Sequence, residues 1–459
     1  MAWGWPMSDD MVAPAAGRPS LSQRLRDLLK QRDVSGMVTA VVIKVMVLTL
    51  NFTLITLAAR ALDPSAFGYY SILFSAASLL YIVAAVGQEP FVLRIWNEMK
   101  VNADAPRLKG ALLFTFVASV CGSLIATAIF YPWALTYVGH GTALATLAYL
   151  VISSPLQICI HLVRTERGTV YGDGLSFAIV GLPPIVYLGM CLVNGTPADI
   201  ADIFTVLACG AFVALLAQLV MIRRHILALF PDFRTVRAIV EFRQWLPRSG
   251  KLWMTASLEA TNQYIDVIII GFLMDPTVAG AYFVTVRFAN LFAAAADAVN
   301  LFATQHLPAL YYRDERAALA KMLDNLAWIM AFFTGMGLLG ITAGGYLALW
   351  VINENYTQYY PQLLILCLGT AAAGTTRAST LALMLSGHEG RYLLITAMGV
   401  LLRCLALFAL VPHFGITGAV IASTLIYAIQ AVAFRRADKA LTGLDASMFR
   451  LLRKRPVPE

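Results

Sequence analysis

The chain has 459 residues, 59% hydrophobic and only 13% charged, where an ordinary soluble protein carries about 25% charge. With a mean hydropathy of +0.72, this excludes a soluble enzyme and points to a polytopic membrane protein. The net charge of +8 fits Lys and Arg gathered on cytoplasmic loops better than nucleic-acid binding, because no loop joins basic clusters to aromatics in a nucleic-acid module.

Met1–Gly36 lacks the basic end, apolar core and small-residue cleavage site of a signal peptide. Leu21, Leu25, Leu28 and Leu29 beside Arg24, Arg26 and Lys30 fit a short helix on the inner membrane surface or a solvated tail. Hydropathy then predicts twelve helices, over 36–61, 68–95, 110–131, 142–163, 174–194, 202–223, 252–274, 279–305, 323–351, 360–386, 392–411 and 415–435. Each has about 20 residues or more, enough for a hydrocarbon core about 30 Å thick. Pro183-Pro184 is expected to kink the fifth. With the N-terminus in the cytoplasm, 30 of the 34 Lys and Arg fall on inner segments and only Arg60 on an outer loop. That bias predicts a cytoplasmic C-terminus as well. Lys44, Arg287 and Arg403 remain inside helices.

An internal repeat divides the chain. Leu62-Asp63-Pro64-Ser65-Ala66-Phe67-Gly68-Tyr69-Tyr70 returns 212 residues later as Met274-Asp275-Pro276-Thr277-Val278-Ala279-Gly280-Ala281-Tyr282. Asp suits a helix N-cap and Pro the first helical position. Each copy follows the first helix of a six-helix set, so the predicted fold is all-α, with two six-helix lobes related by a pseudo-two-fold along the membrane normal around a central cavity. The expected organisation is a cytoplasmic segment 1–35, an N-lobe 36–223, an amphipathic linker 224–250, a C-lobe 251–435 and a basic cytoplasmic tail 436–459.

The densest polar stretch is 251–300. Glu259, Asn262, Gln263 and Asp266 lie at i, i+3, i+4 and i+7 on one helix face; Arg287, Asn290, Asp297 and Asn300 follow on the next helix. Charges near a helix centre cost roughly 2.5–3.5 kcal/mol each on insertion scales, so a polar cavity is the expected reason for them. Lys44 and Asn51 lie at i and i+7 on the first helix, and Asn51 matches Gln263 at the repeat offset.

Other motifs carry less. The six cysteines lie in apolar segments without a Cys-x-x-Cys and read as small core residues. The six histidines are scattered, so no metal site is expected. Gly335-Met-Gly-Leu-Leu-Gly340 follows no strand and is assigned to close helix packing. There is no phosphate loop around Gly250-Lys251-Leu252, hence no ATP site, and no Gly-x-Ser-x-Gly.

Together with Ala303-Thr-Gln-His-Leu-Pro308 and Pro412-His-Phe-Gly-Ile-Thr-Gly-Ala-Val-Ile-Ala-Ser423, the two Asp-Pro turns carry a resemblance over 36–435. The chain resembles the polysaccharide transporters of the multidrug/oligosaccharidyl-lipid/polysaccharide exporter superfamily, the flippases of lipid-linked O-antigen and exopolysaccharide units. The resemblance implies a bacterial inner membrane and no enzymatic activity. It implies a cargo of oligosaccharide on polyprenyl pyrophosphate, with membrane lipids around it and a polysaccharide polymerase as partner. Lys44, Arg287 and Arg403 are the candidates for the anionic head, and Asn51, Asn262, Gln263 and Asn290 for the sugar. Alternatives stay open: Lys44 snorkelling to the inner surface, Arg287 paired with Asp266, and Arg403 in a buried structural pair. Glu259, Asp266 and Asp297 fit a coupling proton or sodium, or simple charge balance. Two other functions compete: a cation or drug exporter of the same superfamily using that acidic stripe, and a membrane polymerase or ligase of lipid-linked sugars.

Overall fold

The computed structural model describes residues 32–290, 316–443 and 445–452. These residues form helices α1 (Arg32–Ala61), α2 (Pro64–Ala84), α3 (Gln88–Val101), α4 (Ala105–Ala134), α5 (His140–Arg167), α6 (Leu175–Asn194), α7 (Ile200–Leu229) and α8 (Phe242–Leu273). They continue with α9 (276–290), α10 (Arg316–Ile352), α11 (Tyr360–Gly374), α12 (Arg377–Leu385) and α13 (Glu389–Thr442). Among the described residues, eight helical stretches are long and apolar enough to cross a membrane, and the chain is an all-α, multi-span membrane protein. Asp297, Asn300 and the 303–308 stretch lie outside the described residues, as do residues 1–31.

Several helices, α4, α5 and α7 among them, overrun the predicted spans because polar residues extend them past the apolar stretch. α7 continues to Leu229 and α8 begins at Phe242, leaving a join of only 230–241, with one 3-10 turn at Pro231–Arg234, where the sequence suggested a linker of 224–250. The predicted second helix breaks between α2 and α3, where Val86 and Gly87 take left-handed φ values of 50° and 67°. A Cβ at Gly87 would also meet the backbone nitrogen of Trp253 at 2.5 Å, so glycine answers both constraints. The helix runs on through Pro183 and Pro184; the irregular turn is π-helical and precedes them, at Val170–Gly174. α13 joins two predicted helices across a kink at Gly415.

α5 packs on α7, α6 on α1 and α7, and α2 on α4 and α5; beyond the join, α13 packs on α8, α11 and α12. Among the described residues, a seam between these groups runs where α2 packs against α8 and the start of α9. Here the two copies of the repeat touch: a Cβ on Gly68 would fall on the carbonyl of Pro276, and one on Gly280 would lie 3.2 Å from Cα of Gly68. The repeated glycines therefore let two helix starts pass at backbone contact. Asp63 makes no side-chain cap, contrary to expectation; its carbonyl accepts from the Phe67 N–H at 2.8 Å. At the same end Arg60 donates to the carbonyls of Val351 and Ile352, tying α1 to α10. In α10, Gly335 and Gly340 have no described atom within 4 Å of where a Cβ would stand. Cys121 and Cys209 are exposed on their helices rather than buried.

Candidate functional site: a cavity with one charged wall

Between α1, α2, α5 and α6 on one side and α8, α9, α11, α12 and α13 on the other lies a cavity of about 850 Å³. Its first wall offers neutral hydrogen-bonding groups, including Asn51, Ser78, Tyr81, Tyr149, Ser153 and Gln157. No charged residue of that wall lines the cavity among the described residues. The second wall carries Glu259, Asp266, Arg287 and Arg377.

Asp266 is 7% exposed, and its partner is Arg403, which is fully buried. Arg403 Nε lies 3.0 Å from Asp266 Oδ1. Its other nitrogens donate to the Tyr427 hydroxyl at 2.7 Å and the Asn262 carbonyl at 2.6 Å. The second carboxylate oxygen of Asp266 accepts from Tyr282 and Ser423, each at 3.0 Å. Buried charges persist when paired and hydrogen-bonded; here the ion pair joins Nε to Oδ1, which make no hydrogen bond, while the remaining nitrogens and Oδ2 carry the hydrogen bonds. Arg403 thus lies behind the wall rather than in it, and Asp266 is neutralised from within its own half. The alternative pairing of Asp266 with Arg287 is absent among the described residues.

Arg287 is held differently. Its guanidinium carbon lies 4.8 Å from the Phe283 ring centre, 5.4 Å from Tyr264 and 5.8 Å from Phe74. Ring faces attract a cation through their quadrupole but add no negative charge. Arg287 thus presents a cation to the cavity that forms no ion pair with a described carboxylate. Glu259 is exposed to the same space and accepts from the Tyr392 hydroxyl at 2.8 Å.

The other candidates divide. Asn51, Asn262, Gln263 and Asn290 all line the cavity, so both members of the repeat-related pair, Asn51 and Gln263, reach it. The Asn51 amide also donates to the Val47 carbonyl at 2.9 Å. Lys44 is exposed and absent from the wall, about 10 Å along α1 from Asn51 by helical rise. Glu89, at the start of α3, lies 3.2 Å from His161. Arg377 was missed: its place in the wall follows from the break between α11 and α12, which returns a residue counted with the inner loop to the cavity. Tyr70 and Tyr282 were also missed as site residues, although the repeat aligns them and both line the cavity. No cluster of His, Cys, Asp and Glu able to hold a metal occurs among the described residues.

No protein-family model matches the chain, and no curated protein matches it. Solved structures do: the fold is that of the transporters of the MOP superfamily. An inward-facing multidrug resistance MATE family transporter superposes with a TM-score of 0.69 at 12% identity, over 86% of this chain and 96% of that one. The lipid II flippase MurJ, in an inward closed conformation, gives 0.69 at 12% identity over 88% and 87%. An outward-facing MATE transporter gives 0.63 at 14% identity over 91% and 98%. These neighbours are transporters, not enzymes.

Proposed function

We propose that the chain is a secondary, alternating-access flippase for oligosaccharide linked to polyprenyl pyrophosphate, serving surface-polysaccharide synthesis in a bacterial inner membrane. The fold is shared by a lipid II flippase and by multidrug transporters, so the cavity must discriminate between them. Arg287 is the observation that favours an anionic cargo: it faces the cavity, cradled by rings and without a described carboxylate. Of the acidic stripe that a cation exporter would need, Asp266 is neutralised by Arg403, leaving Glu259 as the open carboxylate among the described residues. In the flippase reading Arg287 and Arg377 draw the pyrophosphate, strengthened by low dielectric; Asn51, Asn262, Gln263 and Asn290 meet sugar hydroxyls, and the polyprenyl chain stays in lipid.

The same reading takes the eight long apolar stretches with α8, α9, the α11–α12 pair and the second limb of α13 as twelve spans. They form lobes 36–223 and 251–435, related by a pseudo-two-fold along the membrane normal, with both termini cytoplasmic. The packing of Gly68 against Pro276 and Gly280 supports an axis between the two copies of the repeat. The test is Arg287→Ala in cells without a substitute transporter. The expected result is loss of surface polysaccharide with lipid-linked precursor retained in the inner leaflet. Full surface polysaccharide without precursor build-up overturns the reading, and restored cation efflux with no polysaccharide phenotype supports the exporter built on Glu259.

A further inference from the structure

The join between α7 and α8 is a fixed plate rather than a loose tether. The Ile239 N–H donates to the Pro106 carbonyl at 3.0 Å. Lys109 Nζ donates to the carbonyls of Arg234 at 3.0 Å and Val236 at 2.8 Å, with its ammonium 5.8 Å from the Phe233 ring centre. Arg107 pairs with Glu241 at 3.0 Å. Gly110 lets the segment around Ile239 lie on α4, because a Cβ there would collide with the Ile239 carbonyl. Trp245 is buried beneath, against Phe91 and Phe114.

What this plate presents outward is of two kinds. Arg234, Arg237, Arg243 and Arg248 are exposed, and none forms an ion pair with a described carboxylate. Ile239, Val240, Phe242 and Leu246 stand among them at 48%, 44%, 55% and 47% exposure. Both kinds sit at the edge of the lipid-facing surface. α4 is pinned to the plate at Pro106–Gly110, and its exposed apolar residues begin with Leu113, about 5 Å farther along the helix. Cations interleaved with apolar side chains at that depth match the phosphates and upper acyl region of a bilayer.

We propose that residues 234–248 form a docking surface for anionic phospholipid of the adjacent leaflet, the arginines taking headgroup phosphates and Ile239, Val240, Phe242 and Leu246 entering the acyl boundary. This surface is independent of the cavity and of the cargo it carries. The test measures thermal unfolding of the full-length protein in nanodiscs of pure phosphatidylcholine and of phosphatidylcholine with phosphatidylglycerol. The wild type is expected to unfold at a higher temperature with phosphatidylglycerol, and added salt is expected to shrink the gap. A variant with all four arginines changed to Gln should unfold as the wild type does in phosphatidylcholine and lose most of the gap. An Ile239→Ser, Phe242→Ser variant should lose part of it, so the idea survives if one variant folds poorly. An equal gap in the arginine variant, no gap in the wild type, or an equal rise with inorganic phosphate in phosphatidylcholine discs each overturns the proposal.

Discussion

The two walls of the cavity come from halves that carry copies of one turn, yet they differ in kind. The wall of α1, α2, α5 and α6 meets the cavity with amides and hydroxyls; the opposite wall holds Glu259, Asp266, Arg287 and Arg377. Within the charged wall a second division follows. Asp266 and Arg403 form an ion pair, whereas Arg287 lies over rings and pairs with no described carboxylate. Density of charged residues in a sequence is therefore a poor measure of the charge a cargo meets. Partner geometry decides which charges stay open.

The comparison can be broken in order of expected effect. Arg287→Ala removes a cavity-facing cation and is expected to abolish transport while leaving the fold intact, read as surface polysaccharide against the amount of protein in the membrane. Asp266→Asn acts on the closed pair. It leaves Arg403 buried without its counter-charge, an error of about 3–5 kcal/mol, so a large fall in thermal stability is expected; Asp266→Asn with Arg403→Gln should recover part of it in the same melt. Gly68→Ala places a methyl on the Pro276 carbonyl and should cost about 1–3 kcal/mol through forced displacement. Gly280→Ala meets the Phe67 ring at 3.0 Å and should be milder, so equal losses would contradict the asymmetry of this contact. Arg60→Ala removes hydrogen bonds to two carbonyls at the end of α10. Arg60 is exposed, so about 1 kcal/mol is expected, read as faster labelling of a cysteine at Phe74 by a membrane-impermeant reagent. Asn51→Ala, on the neutral wall, should change stability by no more than about 0.5 kcal/mol and reduce transport only modestly.

Much of the scaffold was legible because lipid imposes length and apolarity on every crossing segment. The repeat was legible because its Asp, Pro, Gly and Tyr share one offset, and Asn51 and Gln263 reach the cavity from matching positions. The Arg403–Asp266 pair was not, since it depends on how α13 is rotated against α8, which spacing within either helix does not encode. Arg377 escaped because a helix break moves a residue that composition assigns to a loop. Lys44 misled for the opposite reason: it shares a face pattern with Asn51 but lies beyond the cavity wall along α1.

Full burial of Arg403 has a consequence for biogenesis. A nascent segment carrying that arginine enters the bilayer about 140 residues after Asp266 has been synthesised, and alone it is penalised by roughly 2.5–3.5 kcal/mol at a helix centre. Its stable residence therefore waits on α8, already in place and presenting a carboxylate. Early translation products ending before residue 403 hold an acidic helix without its counter-ion, which is the form a membrane quality-control protease would meet. Completion of α13 converts two poorly inserting helices into one settled pair, so assembly of this half is ordered by charge as well as by the sequence of synthesis.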